Sequence, residues 1–136
     1  MRARRLLGKV ALGAEAAATL TIATVAIRVL PRRAPVRLLG RPEPAAERAV
    51  VGSSDPRARR VGRAVERVAA AMPWRPSCLP QAIATRAMLR RRRIPCEGHL
   101  GVVSTSPLEA HAWVTVQGRV VQGGPIRNAT EVAAFR

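Results

Sequence analysis

The chain contains no tyrosine, and Trp74, Trp113 and Phe135 are its only aromatic residues. That scarcity argues against a nucleic-acid binder that stacks bases on aromatic platforms. Two cysteines, Cys78 and Cys96, are too few for a secreted fold built on disulfides. Carboxylates are scarce too. Eight Asp and Glu oppose 24 Lys and Arg, giving a net charge of +16, with Asp55 the single aspartate and Lys9 the single lysine. Such an excess attracts phosphates, anionic headgroups or acidic peptide segments. The arginines, however, are spread along the whole chain, as expected of a default solvated residue. Long uninterrupted apolar runs are also missing. Twelve uncharged residues separate Glu15 from Arg28, short of the ~20 that a spanning helix needs. A signal peptide requires a small-residue cleavage site after its apolar stretch. Here the stretch runs instead into Arg28-Val29-Leu30-Pro31-Arg32-Arg33. A cytoplasmic location is therefore expected, with peripheral membrane contact through a basic, apolar helix as the alternative.

What is present suffices for one core: 136 residues, 48% of them hydrophobic. An N-terminal helix is expected from about Leu6 to Leu30, stopped by Pro31. Prolines and charges then mark a connector to residue 55, with a short helical piece at Ala45–Val51. Residues 1–55 thus read as a helical segment plus connector, and residues 56–136 as the main core. Ser53-Ser54-Asp55-Pro56 is a helix start, with a capping side chain before proline at the first turn. In the helix that follows, Val61, Ala64, Val65, Val68 and Ala69 recur at i, i+3, i+4 spacing, with Arg63, Glu66 and Arg67 outside. A second helix begins near Ser77, carries Pro80 in its first turn, and ends in Arg90–Arg93, where cations meet the negative end of the helix dipole. The arginine run has no accompanying nucleic-acid recognition element. It reads as a solvated helix end, with docking of an acidic partner segment as the runner-up.

From Gly98 the period becomes two. Leu100–Val103 is one strand, Ser104–Pro107 a loop, and His111–Val116 a second strand. Gln117-Gly118 is a hairpin turn and Arg119–Gln122 the return strand. Helices followed by a small antiparallel sheet make an α+β fold.

Two residues stand out chemically. Cys78 opens a helix, where the dipole and free backbone N–H groups favour a thiolate and stabilise an oxyanion. His111 opens a strand about 30 residues later, so nucleophile and base would stand on rigid supports. The same pattern also suits a small buried hydrophobe at Cys78. Cys96 and His99, with Cys78 and His111, offer a four-ligand zinc set, but the gaps match no common structural zinc pattern. No metal or other cofactor is expected. Trp113 and Trp74 fit either core packing or the wall of a cleft.

The block from Trp74 to Ala84, centred on Ser77-Cys78-Leu79-Pro80-Gln81, resembles the lasso peptide leader peptidase family, as do Leu89-Arg90-Arg91 and Ala110-His111-Ala112-Trp113-Val114. These are small transglutaminase-like cysteine proteases. Glu15-Ala16, Arg28-Val29-Leu30-Pro31 and Arg37-Leu38-Leu39-Gly40 extend the resemblance upstream. It implies a papain-like α+β fold and a Cys-His-Asp triad that cuts a ribosomally made precursor between leader and core. It also implies a small leader-binding partner protein and an ATP-dependent lasso cyclase that closes the freed core. Nucleic acid is not an expected partner. By position, Cys78 is the nucleophile and His111 the general base. The family's usual aspartate, about a dozen residues after the histidine, is replaced by Gln122-Gly123-Gly124. Gln122 is then the candidate for orienting the imidazole as a neutral amide, with Asn128 and Glu131 in reserve. Arg93 stands where the family often has Gly, and Thr115 where it often has Glu. A catalytically inactive transglutaminase-like module that binds precursor or partner proteins is the alternative.

Overall fold

The structure is a computed structural model that describes residues 1–31, 34–37, 39–43, 55–105, 107–124 and 130–135. The expected short helix at Ala45–Val51, the Ser53-Ser54 pair and Asn128 lie outside these residues. Helix α1 (Arg2–Val29) is one unbroken rod of 28 residues, about 42 Å long at 1.5 Å per residue. Leu12, Ala16, Leu20, Ala23 and Ile27 recur at three- and four-residue intervals and face the core. The threonines that interrupt the apolar sequence do not disturb it. Thr19, Thr21 and Thr24 each donate their hydroxyl to the carbonyl four residues earlier, at 2.7–2.8 Å. Length and composition are sufficient for a membrane span, contrary to the reading from the uncharged run alone, because one central glutamate does not break the apolar window. That glutamate is tied to the domain. Glu15 takes both nitrogens of a guanidinium fork from Arg92 and lies 3.2 Å from Arg91. Its neighbours Ala16 and Leu20 are fully buried.

Helix α2 is a single turn (Ala34–Arg37), followed by the two-residue strand β1 (Pro42–Glu43). Helix α3 (Pro56–Ala71) starts as its sequence dictates. The Asp55 carboxylate accepts from the Arg57 backbone N–H at 2.8 Å, and Pro56 takes the first turn. Helix α4 (Cys78–Arg91) follows, with Ser77 at its N-cap. Strands β2 (Glu97–Thr105), β3 (Leu108–Val116), β4 (Arg119–Gln122) and β5 (Thr130–Phe135) complete the chain. The sheet has the order β1-β5-β2-β3-β4, and each pair is antiparallel. The Gln117-Gly118 turn has φ of 52° and 73° at its two residues, the positive pair that a two-residue hairpin requires. β2 and β3 run further toward each other than the expected Ser104–Pro107 loop allows, pairing as far as Thr105 and Leu108.

All three long helices share one core with one face of the sheet. Ala16 and Leu20 of α1, Val61 and Val65 of α3, Met88 and Leu89 of α4, and Ala112, Val114 and Val116 of β3 belong to a single buried cluster, which Leu39 also joins. The described parts of residues 1–55 are therefore built into the same hydrophobic body as residues 56–136. Gly62 sets how closely α3 lies on the sheet. A Cβ there would fall 1.8 Å from the Val121 carbonyl oxygen, so only glycine lets the helix backbone rest directly on β4. The other face of β3 carries His111, Trp113 and Thr115.

Candidate active site

The N-terminus of α4 and the start of β3 meet. Cys78 is the first helical residue, half-buried, and its thiol donates to the Ala110 carbonyl with Sγ 3.9 Å from the oxygen. Ala110 immediately precedes His111, so the two residues assigned as nucleophile and base stand on elements that touch. Pro80 has no N–H and the Gln81 N–H bonds back to the Ser77 carbonyl, so the Cys78 and Leu79 N–H groups are the first-turn donors of α4 left without intrahelical acceptors, at the positive end of the dipole beside the thiol. Gln81, one turn on, donates its side-chain amide to the Pro76 carbonyl at 2.8 Å, which fastens the segment before Cys78 to the helix.

The imidazole of His111 is held from behind by main chain. Nε2 lies 2.6 Å from the Gly123 carbonyl oxygen. A carbonyl only accepts, so the neutral ring carries its proton on Nε2 and leaves Nδ1 as a bare lone pair. Gln122 does not do this work. The residue is 2% exposed and its side chain turns away, with Nε2 3.5 Å from Gln81 Oε1 and Oε1 lacking a hydrogen-bond partner among the described residues. Gln122 is paired with Val114, whose side chain is in the core, so its own side chain shares the core face. The main chain of the next residue, Gly123, just past β4, reaches the imidazole instead. Glu131, the reserve acid, is committed elsewhere, with Oε1 2.7 Å from His99 Nδ1.

The carbonyl of Gly123 has its own support. The Gly123 N–H donates to Glu66 Oε1 at 3.0 Å. Glu66 lies one helical turn after Gly62, so the close approach of α3 to β4 brings its carboxylate to the end of the return strand. Periodicity puts Glu66 outside, on the solvated face of the helix. The structure turns it inward to a backbone donor that periodicity does not reveal. Gly123 has φ of +87°, and a Cβ there would lie 2.8 Å from the Ala112 carbonyl oxygen and from Trp113 Cβ. No acid can be restored at this position without displacing β3. Gly-Gly after β4 is the one signal in the chain that marks the spot.

Trp113 is 6% exposed and lies between the two histidines of the protein, stacked on His99 at a centroid distance of 5.3 Å and on His111 at 6.0 Å. It is core and site wall together. Trp74 is half-exposed, and with Thr24, Arg28, Pro76 and Ser77 it lines a depression of about 230 Å³ beside the start of α4. The four residues considered for zinc do not converge. Cys96 lies beside Arg86, His99 is bound by Glu131 and Thr115, and among the described residues no three His, Cys, Asp or Glu side chains form a metal-binding group. Burial pushes the Cys96 thiol up from its ordinary pKa, with nearby Arg86 opposing only in part, so its environment disfavours the thiolate.

No curated protein and no solved structure matches the chain. A thiol at a helix start, a strand histidine behind it and a small antiparallel sheet agree with a family model that does. The model of the Transglutaminase-like superfamily matches residues 17–136, and the chain belongs to that superfamily.

Proposed function

We propose that the protein is a cysteine peptidase that removes the leader from a ribosomally made lasso peptide precursor, with Cys78 as nucleophile and His111 as general base. The observation that carries this reading is the clamp on His111. Its Nε2–H is held by the Gly123 carbonyl while Nδ1 is left for proton transfer, on a strand whose backbone touches Cys78. The superfamily includes cysteine peptidases and acyltransferases, and the Cys-Leu-Pro and Ala-His-Ala-Trp-Val blocks support the finer assignment. In the mechanism, Nδ1 takes the Cys78 proton and the thiolate adds to the scissile carbonyl. The resulting oxyanion sits against the first-turn amides of α4. The imidazolium returns its proton to the leaving amine, which departs as the core N-terminus. Water then adds to the thioester, losing a proton to His111, and the cleaved leader leaves with a new carboxylate. A small leader-binding protein presents the precursor, and an ATP-dependent cyclase takes the core. The depression beside Trp74 and Ser77 is the surface on which residues ahead of the scissile bond would lie.

The test is incubation of purified protein, precursor and leader-binding partner, with products weighed by mass spectrometry. Wild type is expected to release leader and core, and Cys78→Ala to leave the precursor intact while keeping its circular dichroism spectrum. Loss of a covalent nucleophile costs up to ~10⁶ in rate. Undiminished cleavage by Cys78→Ala removes the thiol from the mechanism. Binding without cleavage by the wild type supports the inactive module instead.

A further inference from the structure

The far end of α4 carries a second site-like feature. A cavity of about 730 Å³ opens beside the last turn of the helix, lined by Arg86, Arg90, Arg93 and Arg57 together with Cys96 and the β3–β4 turn. The volume lies in the range of small-molecule sites. Cys78 is twelve residues from Arg90, roughly 18 Å along the helix axis, so the cavity is distinct from the candidate active site.

Its charge is unbalanced. Four guanidiniums face two carboxylates, Asp55 and Glu97, and Asp55 is already engaged in an ion pair with Arg57 at 3.0 Å. Arg86 is the decisive residue. It is 4% exposed, and its Nε and Nη1 have no hydrogen-bond partner among the described residues. Its polar neighbour is the Cys96 thiol, which burial keeps protonated. A buried cation without a counter-ion is costly, and an apolar side chain of similar volume would serve the core better. Arg93 adds an independent sign. It ends the helix with φ of 55°, a left-handed conformation that glycine adopts freely and arginine does not. The Arg90–Arg93 run is thus divided by the helix itself. Arg91 and Arg92 turn to Glu15 of α1, whereas Arg90 and Arg93 turn to the cavity.

We propose that this cavity binds a multiply charged oxyanion, a phosphate ester or a polycarboxylate, with Arg86 as the buried anchor and Arg90 and Arg93 closing on it from the rim. Guanidinium forks match carboxylate and phosphate oxygens in pairs, and three of them facing one cavity suit a ligand of more than one negative charge. The ligand supplies the counter-charge that Arg86 lacks.

Thermal melts of the full chain at constant ionic strength provide the test, with pyrophosphate and citrate as probes and sodium chloride as control. Wild type is expected to gain a saturable rise in Tm of roughly 5 °C with at least one probe. A response to pyrophosphate identifies a phosphate-type ligand, and a response to citrate a polycarboxylate. Arg86→Met is expected to melt at an equal or higher temperature without anion, and to lose the response. If Arg86→Met does not fold, Arg90→Gln on the exposed rim serves, weakening the apparent affinity by roughly fivefold or more. Arg60→Gln, exposed on α3 and outside the lining, leaves it unchanged. No saturable response to either probe, or a response kept in the Arg86 or Arg90 variant, overturns the proposal in favour of a diffuse effect of the net charge.

Discussion

The two histidines of this protein flank the same indole and have opposite fates. His99 is buried and satisfied on both nitrogens, by Glu131 at Nδ1 and by the Thr115 hydroxyl at Nε2, 2.7 and 2.8 Å away. His111 is half-exposed and, among the described residues, held at Nε2 alone, by a backbone carbonyl. The carboxylate that a triad would call for is present on this sheet, but it serves His99. A ring fixed on both sides has no lone pair to offer a substrate and acts as a cross-strand tie. A ring fixed on one side is oriented and still basic. The carbonyl at His111 sets the tautomer as a carboxylate would, but it brings no negative charge to stabilise the imidazolium. In the proposed mechanism the pair would therefore rely on geometry and on the α4 dipole more than on a charged third member.

The sharpest way to break this contrast is to remove each ring in turn. His111→Ala is expected to lower the cleavage rate by about 10³-fold or more with the fold retained, since the general base is lost. His99→Phe keeps the stacking on Trp113 but strands Glu131 and Thr115. It is expected to lower Tm while the rate per folded molecule stays within a few-fold. Equal losses of activity in the two variants would erase the distinction. Next in size is Gly123→Asp. An acid here appears from sequence spacing to complete a triad, yet positive φ and the Ala112 carbonyl bar any Cβ. The variant is expected to lose about 2 kcal/mol of stability or more, and activity with it. A gain in rate would show that the return strand can rearrange to present a carboxylate.

Smaller effects follow behind the imidazole. Glu66→Ala leaves the Gly123 N–H without its acceptor and is expected to lower kcat by roughly tenfold, with KM little changed. Glu66→Gln, whose amide oxygen still accepts, restores most of the rate. Gln122→Ala, on the opposite face of the same strand, is expected to change the rate by less than about threefold. The smallest effect is on pH-dependent stability. The hydrogen bonds and charge of Arg92, helped by Arg91, hold the Glu15 carboxyl below its ordinary pKa. A carboxylate depressed in the folded state stabilises the fold above its unfolded pKa, and the gain fades as pH falls through the folded value. Denaturant melts across the acid range are expected to show about 1 kcal/mol more stability lost on acidification in wild type than in Glu15→Gln.

The same contrast separates what was readable in the chain from what was not. Local signals were strong where backbone chemistry is local. Asp55-Pro56 caps α3, Gln117-Gly118 makes the hairpin, and Ser77-Cys78 opens α4. Each depends on two or three neighbouring residues. Strand β5 carries little signal in the sequence, because Thr130-Glu131-Val132-Ala133-Ala134-Phe135 has neither strict alternation nor β-branched density. Its pairing with β2, registered for instance at Leu100 and Ala133, is what makes it a strand. The support behind His111 was invisible for a different reason. A backbone carbonyl has no letter in the sequence, and Glu66 reaches it only because Gly62 lets α3 lie on β4. The arginine run was legible as a charged helix end, but its division between Glu15 and the cavity depends on the position of α1.

Nitrogen-15 NMR of the two imidazoles tests the central claim most directly. With only two histidines in the chain, His99→Phe assigns both spectra at once. In their neutral forms the rings are expected in opposite tautomers, His111 protonated at Nε2 by its bond to the Gly123 carbonyl, His99 at Nδ1 by its bond to Glu131. Cross-peak patterns at a pH where the rings are neutral distinguish the two forms. His111 in the Nε2–H form supports a base poised with a free Nδ1. His111 in the Nδ1–H form contradicts it, because the ring would then present a donor, not a lone pair, at the nitrogen left for Cys78.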